Sequence, residues 1–137
     1  MIKRIKWFFQ RGKRGWADCD WWGMDYYLVS IILPMLKELK TNQHGHPCEV
    51  TEEEWNNILS EIIEGFEAAD RVLKDEYLDK IQPGWFEESL KVVSLTDRPS
   101  VIKRKSMIEC GKLIRQDVRL FKAKMKLFTK YFLSLWD

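Results

Sequence analysis

The feature that most constrains this sequence is a long series of apolar residues at helical spacing near its C-terminus. Mostly three or four residues apart, they are Met107, Ile114, Val118, Phe121, Met125, Phe128, Phe132 and Leu135. A second stripe at Leu113, Leu120 and Leu127 makes this face wider than a two-stranded coiled coil requires. We therefore expect a long helix after Ser100, almost to the C-terminus, at the centre of a bundle. Self-association stays open, because three helices need not cover so wide a face.

Another helix has the clearest start in the sequence. Thr51 followed three residues later by Glu54 is a capping box, and Val50 is placed to pack on Trp55 as a hydrophobic staple. Beyond this start, apolar residues recur with a period near 3.6 while acidic residues fill the opposite face. The expected core positions are Trp55, Ile58, Leu59, Ile62, Ile63, Phe66, Ala69 and Leu73. We expect this helix to fray through Leu78 and to stop by Gln82.

A third long helix is predicted on the N-terminal side of Thr51. Asp18 and Asp20 are candidate N-caps, since a carboxylate accepts hydrogen bonds from free backbone N–H groups. The helix should reach about Lys40 and should be kinked at Pro34, which removes one backbone donor. The sequence thus predicts an all-α fold: one domain over residues 1–137, a small bundle of three long helices. Short helices are expected in the N-terminal arm of about residues 1–15 and, in preference to an extended segment, at 85–95.

Hydropathy and cysteine content predict a soluble protein of the cytosol. No apolar run approaches the roughly 20 residues that cross a bilayer, so we expect no transmembrane segment. The basic start carries too short an apolar run for a signal peptide. Three widely spaced cysteines, Cys19, Cys48 and Cys110, favour free thiols over a disulfide framework.

The charges are segregated along the chain although the net charge is only +2. Residues 1–14 contain six basic residues and no acid, residues 15–97 contain six basic and eighteen acidic, and residues 98–137 contain eleven basic and three acidic. A basic helix packed beside an acidic one would account for this pattern, and we favour that interpretation. The alternative is nucleic-acid binding through the basic arm and the last helix.

Tryptophan and arginine are concentrated near the N-terminus, where core positions are hard to assign. Our candidate macromolecule-binding residues are Arg4, Trp7, Arg11, Arg14, Trp16, Asp18, Asp20 and Trp22. Trp and Arg are the residues most often found as anchors of protein interfaces. The competing interpretation is that the rings fill a small core, and both stay open.

No motif predicts a reaction, and we expect neither a catalytic residue nor a cofactor. His44, His46 and Cys48 place three potential zinc or copper ligands within five residues. A structural zinc site needs four ligands, so these are weak candidates and a plain polar loop is favoured. Asp18, Asp20 and Asp25 lack the spacing of a calcium-binding loop.

Several patterns along the chain give it a family resemblance. They are Arg14-Gly-Trp-Ala-Asp-Cys-Asp-Trp-Trp, His46-Pro-Cys, Thr51-Glu-Glu-Glu-Trp55, Gly65-Phe66-Glu67 and Phe128-Thr-Lys-Tyr-Phe-Leu-Ser-Leu-Trp-Asp137. In these, the chain resembles a family of small uncharacterised proteins encoded by bacteriophages and gut metagenomes. The resemblance covers most of the chain except residues 74–100. It implies a phage origin, the cytoplasm of a bacterial host, and a non-enzymatic accessory protein that binds a host or phage macromolecule, with inhibition of that partner as one outcome.

Overall fold

The computed structural model describes residues 2–81, 83–84 and 101–136, and within these ranges the chain is helical and has no strand. The helices are α1 (Ile2–Arg14), α2 (Met24–Asn42), α3 (Glu52–Lys74), α4 (Tyr77–Ile81), α5 (Val101–Tyr131) and the 3-10 helix Phe132–Ser134. The all-α prediction and its three long helices are confirmed. The short helix expected at 85–95 lies outside the described residues. No helix in the described ranges has the length and apolar character to span a membrane.

The start of α3 is the capping box that the sequence predicts. Thr51 Oγ1 accepts a hydrogen bond from the Glu54 backbone N–H group at 3.3 Å, and Glu54 Oε2 accepts one from the Thr51 N–H group at 2.8 Å. Val50 packs against the buried cluster that contains Trp55. The three backbone and side-chain contacts fix both the first turn of α3 and the direction from which the chain enters it.

The last long helix, α5, is not at the centre of the bundle as the sequence predicts; the central helix is α3. It packs along both α5 and α2, and α4 packs on α5. The three largest fully buried side chains, Trp55, Leu59 and Ile62, all belong to α3. The other buried apolar residues are Ala17, Val29, Leu36, Ile63, Phe66, Ala68, Ala69, Tyr77, Cys110 and Tyr131. Because burying one large apolar side chain contributes about 1.5–3 kcal/mol, α3 supplies much of the stability of the fold.

α2 begins later than expected. The prediction that Asp18 or Asp20 caps it is wrong: its first residue is Met24, and Gly23 at the N-cap position makes no side-chain capping bond. Both carboxylates are instead engaged by basic side chains of α1, which leaves neither available as a cap. Pro34 lies inside α2, as expected, and the kink at this position stays a prediction.

α3 ends one residue after Leu73, the last of its expected core positions. Its last residue is Lys74, because Asp75 adopts the left-handed conformation with φ of 50° and its N–H group bonds the Val72 carbonyl oxygen. This turn reverses the chain into α4, which begins at Tyr77. Fraying of α3 through Leu78 is therefore not observed.

α5 contributes its C-terminal half to the core. Phe66 of α3 lies against Phe121 and Phe128, with ring centroids 5.9 and 5.0 Å apart. Met107 and Phe132 share the predicted apolar face but are exposed. Met107 precedes the part of α5 that runs antiparallel to α3, and Phe132 follows the last α-helical turn. The predicted core-facing seam is therefore wrong at Met107 and Phe132, whereas its last residue, Leu135, packs against both buried clusters.

Ion pairs connect the acidic face of α3 to both neighbouring helices. Lys124 of α5 lies 3.3 Å from Glu61 and 3.2 Å from Glu64, and Lys37 of α2 lies 2.6 Å from Glu67. These contacts match the expected packing of basic beside acidic helices. They account for only part of the positive charge of α5, since many of its basic residues lie away from α3.

Candidate binding surface

α1 is attached to the following segment by its polar face. Four side chains on one side of the helix bond Asp18 or Asp20: Lys6, Gln10, Arg11 and Arg14. Residues three and four apart are neighbours on a helix surface, so this set forms one face. α1 ends at Arg14, and Gly15, whose φ of 80° suits glycine, then turns the chain back along that face.

Arg11 and Asp20 form the most enclosed contact of this attachment. Arg11 Nε donates to Asp20 Oδ2 at 2.9 Å and Nη2 to Oδ1 at 2.5 Å, while the Ala17 N–H group donates to Oδ2 at 2.8 Å. The Arg11 bonds lower the pKa of Asp20 to about 2, against the opposing effect of burial. Paired bonds of this kind fix the orientation of both groups, so the joint sets the direction of α1.

Asp18 fastens a longer part of the same face. Gln10 Nε2 donates to its Oδ2 at 2.7 Å, and the Asp18 N–H group returns a bond to Gln10 Oε1 at 3.0 Å. Lys6 Nζ lies 3.0 Å from the carboxylate, and the Arg14 guanidinium is bonded to it as well. Gln10 first, then Arg14 and Lys6, lower the pKa of Asp18. The Asp18 carboxylate therefore stays ionised, and its partners on α1 extend over two helical turns.

The apolar face of α1 points away from these contacts into solvent. Ile5, Phe8 and Phe9 are 52%, 73% and 68% exposed, and the two phenyl rings meet edge to face at 5.8 Å. α1 packs extensively on no other helix of the described ranges. An amphipathic helix of a globular protein normally turns its apolar stripe toward the core. We call Ile5, Phe8 and Phe9 the α1 face.

Three tryptophans of the turn after α1 are also at the surface. Trp16, Trp21 and Trp22 are 44%, 54% and 79% exposed. The Arg14 guanidinium lies 3.8 Å from the centroid of the Trp16 ring, and Arg14 Nε bonds the Trp16 carbonyl oxygen at 2.9 Å. The Trp21 and Trp22 rings are 4.4 Å apart. The interpretation that the rings fill a small core is therefore wrong for these three tryptophans, whereas Trp55 is fully buried.

An apolar groove of about 480 Å³ opens between this turn and α2. Its apolar lining comprises Trp16, Trp21, Met24, Tyr27, Leu28 and Ile31. Tyr27 holds the groove together: its hydroxyl donates to the Gly15 carbonyl oxygen at 2.6 Å, and Arg11 lies 5.7 Å above its ring. The turn is thereby tied to α1 on one side and to α2 on the other.

The structure brings together most of the residues that the sequence singles out. Arg11 bonds Asp20, and Arg14 contacts both Trp16 and Asp18. The remaining candidates lie apart from that network: Arg4 and Trp22 are exposed, and Trp7 is half-buried. Trp7 precedes Arg11 by one helical turn, which places it beside the polar face and not on the α1 face.

Five further residues of this surface were missed by sequence reasoning: Ile5, Phe8, Phe9, Gln10 and Tyr27. Ile5 and Phe9 show the helical period, but a period does not tell which way an apolar face points. One signal for its direction was available. Residues 1–14 contain six basic residues and no acid, and so strong a positive charge needs carboxylates nearby, which would hold the polar side of the helix inward. For Gln10 and Tyr27 the sequence carried no signal, since both act through tertiary contacts.

The weak metal candidates do not gather into a site. His44, His46 and Cys48 are all exposed, and His46 Nδ1 lies 3.1 Å from the Pro47 carbonyl oxygen. Across the described ranges, no three His, Cys, Asp or Glu side chains are grouped so that they would hold a metal ion.

The exposed apolar face of α1 and its tryptophan-rich turn are thus the features that require a functional explanation. No protein-family model, no curated protein and no solved structure matches this chain.

Proposed function

We propose that this chain is a non-enzymatic binding protein that inserts the α1 face into an apolar groove on a partner protein. The observation that carries the proposal is the orientation of α1, held polar side inward by Arg11 and Asp20. A large apolar side chain forfeits about 1.5–3 kcal/mol when it stays in water. A helix fixed with three such residues outward has the anchor spacing of a helix-in-groove interaction.

The charge around α1 favours a protein over a membrane as the partner. Helices that lie on anionic membranes use free Lys and Arg side chains to bind lipid phosphates. Here three of the six basic residues of α1, Lys6, Arg11 and Arg14, are engaged by Asp18 and Asp20. The exposed tryptophans beside them are the residue type most enriched among energetically dominant anchors of protein interfaces.

The resemblance to phage and gut-metagenome proteins supports a bacterial host as the setting. We place the partner among host or phage proteins of the bacterial cytoplasm. Occupying an apolar groove that another ligand needs would inhibit that partner, which suits a small accessory protein. This role requires no cofactor and no reaction.

A photo-crosslinking experiment followed by binding measurements tests the proposal. Phe9→p-benzoylphenylalanine, expressed in the host, should capture a specific protein that the same replacement at exposed Leu133 of the 3-10 helix does not. The purified partner should then bind Phe8→Ala with Phe9→Ala at least about tenfold more weakly than the unmodified chain. The matched control, Met107→Ala with Ile108→Ala, removes two exposed apolar residues of α5 and should leave affinity unchanged. Equal affinity of both double variants, or adsorption of the α1 face to phosphatidylglycerol vesicles with no captured protein, would contradict the proposal.

A further inference from the structure

A row of basic side chains runs along the outer side of α5. Its six members are all exposed and are Lys112, Arg115, Arg119, Lys122, Lys126 and Lys130. Successive members are three or four residues apart, so they lie on one side of the helix. With a rise of 1.5 Å per residue, the row is about 27 Å long. We call it the α5 row.

The α5 row is not explained by the packing of the bundle. Asp117 is the only acidic residue between its ends, and its carboxylate is bonded by Arg71 and Tyr77 on the core side of α5. Lys124, which does bind the acidic face of α3, is not a member of the row. Within the part of the chain that the structure describes, no member forms an ion pair with a carboxylate.

An uninterrupted row of positive charges also destabilises the helix that carries it. Solvated helix faces usually mix charges of both signs, and like charges four residues apart destabilise a helix. Such repulsion is present at the pairs Arg115–Arg119, Lys122–Lys126 and Lys126–Lys130. A polyanion laid along the row would remove it, because each bound phosphate neutralises one cation.

We infer that the α5 row binds the phosphate backbone of a nucleic-acid duplex without reading its base sequence. The narrow, straight shape suits a linear polyanion, and duplex DNA carries about one charge per 1.7 Å of axis. A membrane is disfavoured because Ala123 is the only apolar residue within the row's arc, whereas membrane-surface helices insert an apolar face. Binding of single strands relies on aromatic rings that stack on bases, and the row offers none.

Fluorescence anisotropy with a random-sequence 30-base-pair DNA duplex tests this inference. For about six phosphate contacts, affinity should fall roughly a thousandfold between 50 and 200 mM salt and should not depend on sequence. Lys122→Gln with Lys126→Gln should make the slope of log affinity against log salt less negative by about 1.8, that is, about 0.9 per phosphate contact. A matched pair outside the row, Lys40→Gln with Lys80→Gln, lowers the net charge equally and should leave the slope unchanged.

Three results would overturn the inference. The first is no binding at 50 mM salt, and the second is an equal loss in both variant pairs, which would reduce the effect to net charge. The third is binding to vesicles of phosphatidylcholine and phosphatidylserine as tight as to the duplex. Circular dichroism of each variant excludes unfolding as the cause of a loss. None of these variants changes the α1 face, so their outcome is independent of the proposed protein partner.

Discussion

Arg11 and Asp20 bond each other twice across the turn between α1 and α2, with Nε–Oδ2 and Nη2–Oδ1 distances of 2.9 and 2.5 Å. The pair holds the polar side of α1 against the turn. Phe8 and Phe9, on the opposite side of the helix, are consequently presented to solvent. The orientation of an entire helix thus follows from one enclosed ion pair with the support of Asp18.

Removing the charge of Asp20 should release α1 without unfolding the bundle. In Asp20→Asn, one carboxylate oxygen is lost and the remaining amide cannot accept both Arg11 bonds. Hydrogen exchange followed by mass spectrometry should show faster exchange over residues 2–20 and unchanged exchange in α3. Asp25→Asn is the control, because Asp25 is exposed and, among the described residues, bonds only the neighbouring Tyr26 N–H group. Unchanged exchange in residues 2–20 of the Asp20 variant would show that the pair does not hold α1.

The attachment of α1 should also be lost in acid. Arg11 lowers the pKa of Asp20 from the ordinary 3.8 to about 2 in the folded protein. A carboxyl whose pKa is lower in the folded state stabilises that state above its unfolded pKa, and the contribution disappears as the pH falls from 3.8 toward 2. The carboxyl carbon of Asp20, followed by NMR, should therefore titrate with a midpoint near 2. A midpoint near 3.8 would mean that Arg11 does not bind it in solution.

Gly65 should tolerate no larger residue. A Cβ atom at this position would lie 2.6 Å from Lys124 Cβ, so Gly65→Ala must move α3 and α5 apart. Overpacking of this kind costs about 1–3 kcal/mol, which exceeds the gain of about 1 kcal/mol in helix propensity. Urea denaturation should show a net destabilisation. Gly12→Ala is the opposite case, since nothing lies within 4 Å of an added Cβ there and α1 should become more helical. Equal stability of Gly65→Ala and the unmodified chain would rule out the close approach.

Asp117 should be a main polar contributor to stability. Its carboxylate accepts bonds from Arg71 at 3.0 and 2.7 Å and from the Tyr77 hydroxyl at 2.5 Å, which links α3, α4 and α5. Asp117→Asn leaves partly buried donors unsatisfied and should cost about 1–3 kcal/mol. Asp70→Asn breaks only an i,i+4 pair with Lys74 and should cost under about 0.5 kcal/mol. Similar denaturation midpoints for the two variants would contradict this role.

The three free cysteines should react in a fixed order. Cys48 is exposed, Cys19 is partly buried and Cys110 is buried. Burial raises the pKa of the Cys110 thiol, and burial together with Asp20 raises that of Cys19, so both form less of the reactive thiolate. With a chromogenic disulfide reagent, Cys48 should react first and Cys110 only on unfolding. Fast modification of Cys110 in the native protein, located by mass spectrometry, would show that this thiol is not buried in solution.

Local signals explain which parts of this fold the sequence predicts. The capping box is readable because Thr51 and Glu54 satisfy each other within one turn, and the core positions of α3 follow from one regular period. Asp18 and Asp20 show the limit of such reasoning. A carboxylate that precedes a helix has the same local sequence pattern whether it caps that helix or pairs with an earlier one. For Asp20, the bonds from Arg11 determine that it pairs with the earlier helix.

The direction of the α1 face could not be predicted for a related reason. The helical spacing of its apolar residues is visible in the sequence. Whether such a face points to solvent or to the core, however, depends on the tertiary contacts made by the opposite side of the helix. The close approach at Gly65 likewise depends on where Lys124 lies in a different helix. The α5 row, in contrast, can be recognised from the spacing of its basic residues alone. The structure adds only that these residues are exposed and lack carboxylate partners among the described residues.

Hydroxyl-radical footprinting of the isolated protein tests the central claim most directly, because it reports the solvent access of individual aromatic rings. Phe8 and Phe9 should be oxidised much faster than Phe66, which is buried in the core, and Asp20→Asn should leave Phe66 protected. That result would establish an apolar helix face held open for a partner. Protection of Phe8 and Phe9 equal to that of Phe66 would mean that the chain covers its own α1 face, and the proposed docking function would fail with it.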